Sequence, residues 1–262
     1  MKVMGIVNVT PDSFSDGGEF LDPDRAIAHG RRLVAEGADL LDIGGESTRP
    51  GAEAVSAEEE LARVIPVVEG LAGAAPLSID TAKAAVAEEA IRAGVGMVND
   101  VTALSGDPGM GALCAESGVE VVLMHMLGTP RTMQDDPRYG DVATEVRDFL
   151  LQRVGRATAA GIDPDRIWID PGIGFGKTVE HNLELLRATA MLADTGLPVL
   201  VGPSRKAFIG KLDRDAPEGE RLGGTVAACL ASMDGGAAMV RVHDVGPVAQ
   251  ALRVARAIRP AD

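Results

Sequence analysis

Cysteines and aromatic residues are scarce in this 262-residue chain, which has two cysteines and only 3% Phe, Trp and Tyr. Cys114 and Cys229 lie in stretches with a helical pattern, and we interpret them as reduced thiols packed in a core rather than as a disulfide or redox pair. The first predicted strand begins at Val3, which leaves no space for a signal peptide before it. We therefore expect the protein in a reducing compartment, the cytoplasm.

Positive charge is also in short supply, because 25 Lys and Arg residues stand against 39 Asp and Glu residues for a net charge of −14. Nucleic acids and anionic membranes need a basic face, so we expect neither as a partner. No apolar run reaches the roughly 18 residues that cross a bilayer, and we predict no membrane span. The four histidines lack the spacing of H-E-x-x-H and similar motifs, which argues against a zinc enzyme.

What the sequence does contain is a recurring pattern of a glycine, a short apolar run and a polar residue. Such a glycine closes a helix in the left-handed conformation and a buried strand follows, which is typical of a repeated β/α unit. The glycines and their strands are Gly37 with Ala38–Ile43, Gly94 with Val95–Asp100, Gly118 with Val119–His125, Gly161 with Ile162–Asp170, Gly196 with Leu197–Ser204 and Gly236 with Ala237–His243. Two further strands, Val3–Val9 and Pro76–Asp80, lack the glycine. Eight strands predict an α/β fold, a single (β/α)8 TIM barrel over residues 1–262.

Helical patterns fill the intervals between these strands. Asp22 before Pro23 is a capping residue followed by a proline at the first helical position, and Ser56 with Glu59 has the spacing of a capping box. The later helical patterns cover Lys83–Ala93, Pro108–Ser117, Asp141–Ala160, Val179–Thr195, Leu222–Gly235 and Gly246–Ile258. No linker or low-complexity segment divides the chain, so we predict one domain.

Three connections that follow strands are longer than a barrel needs, and they define what we call the first, second and third long loops. They cover Thr10–Phe20, Gly44–Val55 and Leu127–Gly140. All three emerge on the face that carries the polar strand ends. Long loops on that face are commonly lids or substrate clamps, and tolerated insertions are the alternative.

The strand ends carry a set of carboxylates and amides: Asn8, Asp42, Asp80, Asn99, Asp100 and Asp170. A buried carboxylate without a partner is expensive, so each needs a hydrogen-bond donor. Capping of the next helix or pairing with a cation would supply one at any single strand. Several such groups at one mouth instead favour a ligand rich in N–H donors, such as a flat heterocycle with a guanidine-like edge.

A set of cations also follows strand ends in this acidic protein, namely Arg49, Arg205, Lys206, Arg241 and His243. Strand alternation puts Arg241 and His243 on one face of the last strand. The set favours an anionic ligand, phosphate or diphosphate, with salt bridges to the nearby carboxylates as the alternative. Covalent Schiff-base chemistry at Lys206 is disfavoured, since no acid–base partner is evident beside it.

The segment from Asp170 to Thr178 is rich in glycine but fits neither common nucleotide motif. A P-loop would need a glycine where Pro171 stands, and a dinucleotide fingerprint needs a different glycine spacing. We expect its glycines to let the backbone approach a planar ligand beside Asp170, with Phe175 available to stack.

At these motifs the sequence resembles the dihydropteroate synthases, the pterin-binding enzymes of folate biosynthesis that sulfonamides inhibit. The matching stretches, in family order along nearly the whole chain, are Met4–Gly18, Asp42–Gly51, Ser78–Thr81, Val98–Asp100, Met124–Met126, Asp170–Lys177, Ser204–Lys206 and Arg241–Asp244. The resemblance implies a transferase that joins a pterin carrying a methyl diphosphate to p-aminobenzoate and releases diphosphate. It also implies Mg²⁺ as cofactor and a homodimer.

The resemblance further implies roles for individual residues. Pterin recognition falls to Asp80, Asn99, Met124, Asp170 and Lys206, the Mg²⁺ contact to Asn8, and diphosphate binding to Asn8, Arg241 and His243. Phe14 and Asp16 of the first long loop and Thr48 and Arg49 of the second close over the substrates, while Ser204 and Lys206 border p-aminobenzoate. The residues expected to be catalytic are Asp80, Lys206, Arg241 and His243.

Two other functions fit parts of the same pattern. A pterin-binding methyltransferase would share the barrel and the pterin carboxylates, but it would not need the cations at Ser204–Lys206 and Arg241–His243 together with both lid motifs. A non-catalytic pterin-binding paralogue would be favoured by loss of Asn8, Arg49 or Lys206, and all three are present.

Overall fold

The computed structural model describes residues 1–10, 22–48, 51–52 and 54–259. Its eight strands are β1 (Lys2–Asn8), β2 (Leu40–Gly44), β3 (Leu77–Asp80), β4 (Met97–Asp100), β5 (Glu120–Met124), β6 (Ile167–Asp170), β7 (Leu200–Val201) and β8 (Met239–Val242). Every pairing is parallel, in the order β6-β5-β4-β3-β2-β1-β8-β7. A bridge between Ile169 and Val199 joins the two ends. The predicted (β/α)8 barrel is confirmed.

Helices alternate with these strands around the outside of the sheet. They are α1 (Pro23–Glu36), α2 (Ala57–Leu71), α3 (Ala84–Arg92), α4 (Met110–Ser117), α5 (Val142–Ala159), α6 (Val179–Arg187), α7 (Thr189–Ala193), α8 (Ala207–Leu212), α9 (Leu222–Asp234) and α10 (Val245–Ile258). Asp22 caps α1, and the Ser56 hydroxyl accepts from the Glu59 amide at the start of α2. None of the described helices is long and apolar enough to span a bilayer.

The six glycines of the repeated pattern all have the left-handed backbone that the pattern requires. Their φ angles are 108° at Gly37, 107° at Gly94, 65° at Gly118, 99° at Gly161, 81° at Gly196 and 83° at Gly236. Each therefore ends a helix and redirects the chain toward a strand, as predicted. Cys114 and Cys229 are buried free thiols, which also agrees with the sequence analysis.

Three elements differ from the predictions, and proline or threonine chemistry explains each difference. The strand predicted from Ile162 begins only at Ile167, because Pro164 opens a short 3₁₀ turn that Asp163 caps. The strand predicted over residues 197–204 shrinks to Leu200–Val201, because prolines at 198 and 203 remove ladder amides. The single helix predicted over 179–195 divides before Thr189, whose hydroxyl bonds the Leu186 carbonyl. The six-residue helix α8 was missed.

The interior of the barrel holds an apolar layer, and the polar site lies directly above it. The layer consists of Met4, Leu40, Met97, Val122, Trp168, Leu200 and Met239, all buried. Side chains on a strand repeat their face every two residues. The residues two positions further along are Ile6, Asp42, Asn99, Met124, Asp170, Gly202 and Arg241. The apolar layer thus closes the barrel below and leaves the polar layer at the carboxyl ends of the strands.

We expect Gly94→Ala to destabilise the protein by about 1–2 kcal/mol, because a Cβ is strained at its φ of 107° although nothing lies within 4 Å of it. Gly96→Ala is the matched control, since that glycine is also exposed, also in open space and not left-handed. Urea unfolding of both variants measures the difference. Equal stabilities would contradict the role assigned to the repeated glycine.

Candidate active site

A cavity of about 560 Å³ opens at the carboxyl ends of the strands, above the apolar layer. Of the predicted site residues that the structure describes, Asp42 and Asp100 are not among those that line it. The walls include Asn8, Thr48, Asp80, Asn99, Met124, Asp170, Phe175, Ser204, Arg205, Lys206, Arg241 and His243. Phe14, Asp16 and Arg49 lie outside the described residues. The chain thus brings together side chains from strands β1 to β8 that are up to 235 positions apart (243 − 8).

The floor of the cavity is an ion-paired network centred on Arg241. Its Nε donates to Oδ2 of Asp42 at 2.6 Å and its Nη2 donates to Oδ2 of Asp80 at 2.7 Å. Asn99 donates a third hydrogen bond to Asp42 at 2.9 Å. Burial lowers the pKa of Arg241, but the two carboxylates outweigh it and raise the pKa above its ordinary value. Arg241 is therefore a permanent cation, and Asp42 serves to orient it.

The two carboxylates that face the cavity titrate near neutral pH. Burial raises the pKa of Asp80 to about 7, against the opposing effect of Arg241. Burial likewise raises the pKa of Asp170 to about 6, although the Gly172 amide donates to its Oδ1 at 2.7 Å. Hydrogen-bond donors from a ligand would favour the charged form of each carboxyl and lower its pKa.

Asp100 does not belong to this site, and the prediction that it joins the carboxylate set is wrong. Its Oδ1 accepts from the amide and hydroxyl of Thr102 at 2.8 and 2.7 Å, and its Oδ2 accepts from the Leu104 amide at 2.9 Å. Asp100 follows Asn99 by one position, so strand alternation turns it to the outer face of the barrel. The Asp100 carboxylate instead holds the turn over residues 101–104, and it does not cap the next helix, because α4 begins only at Met110.

Two members of the cation set, Arg205 and His243, are not the free cations that the sequence predicts. Arg205 makes a two-pronged ion pair with Asp244, at 2.9 and 2.6 Å, so the salt-bridge alternative applies to it. Its φ of 57° is left-handed, a strained backbone for an arginine. Burial, followed by the cations Arg241 and Arg205, lowers the pKa of His243 to about 3, so His243 is neutral rather than cationic.

The neutral His243 is held by Ser204. The Ser204 hydroxyl accepts from the His243 backbone amide at 3.1 Å and lies 3.0 Å from the ring Nδ1, within hydrogen-bond distance. Ser204 therefore orients the His243 ring at the wall of the cavity.

Phe175 and Lys206 form an aromatic and cationic corner of the same cavity. The Lys206 Nζ lies 4.0 Å from the centroid of the Phe175 ring, within the range of a cation–π contact. Gly174 permits this approach, because a Cβ there would lie 2.9 Å from Cδ of Lys206. The glycine therefore brings the backbone close to a side chain of the protein, in addition to the ligand approach predicted from the sequence.

Several side chains that support the site carried no recognisable sequence signal. Lys83, three residues after Asp80, bonds the carboxylates of Glu46 and of the fully buried Glu60, and so fixes the base of the second long loop beside Thr48. In the third long loop, Gln134 donates to the Gly174 carbonyl at 2.7 Å. Nothing in the residue pattern relates these positions, because each contact joins elements that are distant in the chain.

A divalent metal would have few protein ligands at this site. Across the described parts of the chain, no group of three or more His, Cys, Asp or Glu side chains is arranged to hold a metal ion. Asn8, at the end of β1, lines the cavity and offers an amide oxygen. Mg²⁺ is commonly bound by one or two protein oxygens together with waters and substrate phosphates. The site fits a magnesium ion of that kind.

We expect Asp170→Asn to stabilise the protein more at about pH 8 than at about pH 4, by roughly 2 kcal/mol. The pKa of Asp170 rises from 3.8 to about 6 on folding, so the folded state binds its proton more tightly and loses stability as the pH rises through that window. Asparagine removes this titration and keeps an oxygen for the Gly172 amide. Urea unfolding at the two pH values measures the effect, and a difference that does not vary with pH would contradict it.

Comparison with known proteins agrees with this geometry. The sequence model of the family described as pterin binding enzyme matches residues 4–243. The dihydropteroate synthase of Synechocystis sp. is 49% identical over 259 residues, which cover 98% of this chain and 89% of that protein. Solved structures of Xanthomonas albilineans dihydropteroate synthase with 4-aminobenzoic acid and with 7,8-dihydropteroate have TM-scores of 0.94 and 0.90 at 52% and 49% identity, and each match covers 100% of this chain and 94% of the other. This chain therefore belongs to the pterin-binding enzyme family.

Proposed function

We propose that this protein catalyses the dihydropteroate synthase reaction, in which a pterin methyl diphosphate and p-aminobenzoate give 7,8-dihydropteroate and diphosphate. The observation that carries the proposal is one cavity lined both by the carboxyls of Asp80 and Asp170 and by Lys206, Arg241 and His243. The first group suits a heterocycle rich in N–H donors and the second suits a leaving anion. The relatives described above carry the name of this activity.

Pterin recognition falls to the residues just above the apolar layer. The aminopyrimidinone edge of a pterin presents parallel N–H donors, which a carboxylate such as Asp170 accepts in pairs. Asn99 is held by its bond to Asp42, so its amide oxygen has a fixed direction. Met124 supplies an apolar contact in the same wall. Because N–H donors favour ionised carboxyls, pterin binding would keep Asp170 charged at neutral pH.

The side chains on and just after β8 bind the departing diphosphate in this proposal. The Arg241 guanidinium has five N–H groups, of which two are committed to Asp42 and Asp80 and others remain for an anion. His243 also lines the cavity, as a neutral imidazole. Asn8 would hold Mg²⁺ with the diphosphate oxygens, where the ion, when bound, supplies positive charge against the growing negative charge. Fixed donors of this kind stabilise charge that develops only as the reaction proceeds.

The bond changes need no covalent intermediate on the protein. The C–O bond between the pterin methylene and diphosphate breaks with its electron pair going to diphosphate, and the arylamine lone pair forms the new C–N bond. The amine then releases one proton, which diphosphate oxygens or water can accept. Phe175 and Lys206 border the space for p-aminobenzoate. The Phe175 ring contacts its aromatic ring, and the Lys206 ammonium attracts its carboxylate. The protein therefore acts by orientation and charge stabilisation.

We also propose that the protein is a cytoplasmic homodimer. The buried free thiols of Cys114 and Cys229 suit a reducing compartment. A groove of about 730 Å³ between α6, α7, α8 and α9 is lined by small and apolar residues and exposes 58% of Leu212. A two-fold interface brings the same surface patch of both copies together, which suits one continuous apolar groove. A second copy of this chain is therefore the occupant that the groove favours.

We expect the purified protein with Mg²⁺ to convert the two substrates to dihydropteroate, and chelation of the metal to abolish turnover.

Lys206→Ala and Asp170→Asn should each weaken pterin binding by about tenfold or more, since each removes a charged partner from the cavity. Asp100→Asn is the matched control, because that carboxylate faces away from the cavity. Turnover is measured by product chromatography and affinity by calorimetry.

Two outcomes would contradict the proposed function. Tight pterin binding without diphosphate release would favour a non-catalytic pterin-binding protein, and methyl transfer to a corrinoid would favour the methyltransferase alternative. Wild-type pterin affinity in both Lys206→Ala and Asp170→Asn would show that these strand ends do not form the pterin pocket.

For the homodimer, we expect sedimentation velocity to give twice the chain mass of 27.1 kDa. Ala227→Arg should shift the protein to the monomer, because it places a charged side chain in the groove. Ala159→Arg adds the same side chain at an exposed position of α5 and should leave the dimer intact. A monomeric wild type, or equal behaviour of the two variants, would contradict the dimer.

A further inference from the structure

Lys177 is a buried lysine that no step of the proposed function uses, and it lies between two loops of the cavity. The residue is only 3% exposed. Its Nζ lies 3.0 Å from Nδ1 of His125, 3.3 Å from the His125 carbonyl oxygen and 2.8 Å from the Phe175 carbonyl oxygen. An ammonium has three N–H donors, so these three acceptors satisfy it completely.

The acceptors belong to the loops after two neighbouring strands. His125 directly follows β5, and Phe175 lies in the glycine-rich loop after β6. The His125 ring is itself held in place, since it packs edge-on against Phe149 of α5 with centroids 4.8 Å apart. Burial, followed by Lys177, lowers the pKa of His125 to about 3, so the ring is neutral at neutral pH. Lys177 therefore ties the glycine-rich loop to a fixed partner.

The glycine-rich loop depends on such contacts for its shape. It has three glycines with left-handed φ angles, 67° at Gly172, 84° at Gly174 and 64° at Gly176. Glycine has little conformational preference of its own, so bonds to the rest of the protein must define this backbone. Gln134 and Tyr139 hold the carbonyls at 174 and 176, and Lys177 holds the one between them, that of Phe175.

The position of Phe175 in turn affects Lys206. The Phe175 ring lies 4.0 Å from the Lys206 Nζ, and both side chains line the cavity. A shift of the ring would remove the aromatic face against which the ammonium rests. The chain of contacts thus runs from Lys177 to the Phe175 backbone, then to its ring and to Lys206.

We propose that Lys177 is a positioning residue for p-aminobenzoate, which it serves by holding Phe175 and, through Phe175, Lys206. The proposal rests on the proposed function, which assigns this corner of the cavity to p-aminobenzoate. Lys177 makes no contact with the substrate in this role. Its effect falls on binding of the aromatic amine more than on recognition of the pterin by Asp80, Asn99 and Asp170.

One other effect of Lys177 must be separated from positioning. Its ammonium also lowers the pKa of Asp170. The pKa of Lys177 itself is about 7, because burial and the nearby Lys206 lower it more than Asp170 raises it. Removing the ammonium would therefore raise the pKa of Asp170 and weaken pterin binding at low pH. At about pH 8.5, above the pKa of about 7 for Lys177 and of about 6 for Asp170, Lys177 is a neutral amine and exerts no charge effect on Asp170. Its two N–H groups can still bond the carbonyl oxygens of His125 and Phe175, so a positioning effect persists at this pH.

The test compares Lys177→Met with the wild type at about pH 8.5. The KM for p-aminobenzoate should rise by about tenfold or more, while the Kd of the pterin diphosphate changes by less than about threefold. Lys2→Met is the matched control, because Lys2 also contacts an aromatic ring, that of Trp168, at 5.8 Å and outside the cavity. In a Phe175→Leu background, Lys177→Met should add little, since both changes act on one contact.

The proposal is overturned by a KM for p-aminobenzoate like that of Lys2→Met, by full additivity with Phe175→Leu, or by an equal loss of pterin affinity at about pH 8.5. If circular dichroism shows that Lys177→Met does not fold, Lys177→Gln is measured in its place by the same criteria. Calorimetric Kd values for p-aminobenzoate accompany the kinetics. They report the positioning effect even without turnover, whereas an inactive wild type contradicts the proposed function alone.

Discussion

The buried guanidinium of Arg241, held between the carboxylates of Asp42 and Asp80, is the interaction on which the site depends. Two carboxylates at the top of an apolar layer would be strongly destabilising without a cation between them. Arg241 satisfies both, and in doing so it joins the carboxyl ends of β2, β3 and β8. Arg241 also lines the cavity, where its remaining N–H groups are available to an anion. The same network holds Asn99 through Asp42.

Burial also shifts the pKa values of several surrounding groups toward neutral pH. Asp80 and Asp170 have pKa values raised to about 7 and about 6, and that of Lys177 is lowered to about 7. His243 is neutral, and the Ser204 hydroxyl holds its ring at Nδ1. Substrate hydrogen bonds can therefore select the protonation state of the carboxyls. The cavity is an interlocked set of charges, in place of the separate negative and positive halves that the sequence suggests.

Particular elements show why parts of the structure were predictable and others were not. The six glycines of the repeated pattern identified strand starts because a left-handed helix end is a local property of the chain. The strand near residue 200 was overestimated because its flanking prolines remove amides that only a neighbouring strand would need. Asp100 was assigned to the site together with Asn99, but the two are adjacent on β4, and adjacent side chains on a strand lie on opposite faces. Arg205 was expected to bind an anion, but Asp244 already occupies its guanidinium.

The sequence by itself determined the barrel and the face that carries the chemistry, because hydrophobic periodicity and strand-end polarity are encoded locally. The roles of Thr48 and Met124 came from the family resemblance. Only the tertiary structure decided which of the residues at this face bind one another. It paired Arg241 with Asp42 and Asp80, made His243 neutral, and enclosed Lys177 between His125 and the Phe175 carbonyl. The physical reason is that ion pairing and burial depend on distances between strands, and the order of residues along the chain does not contain those distances.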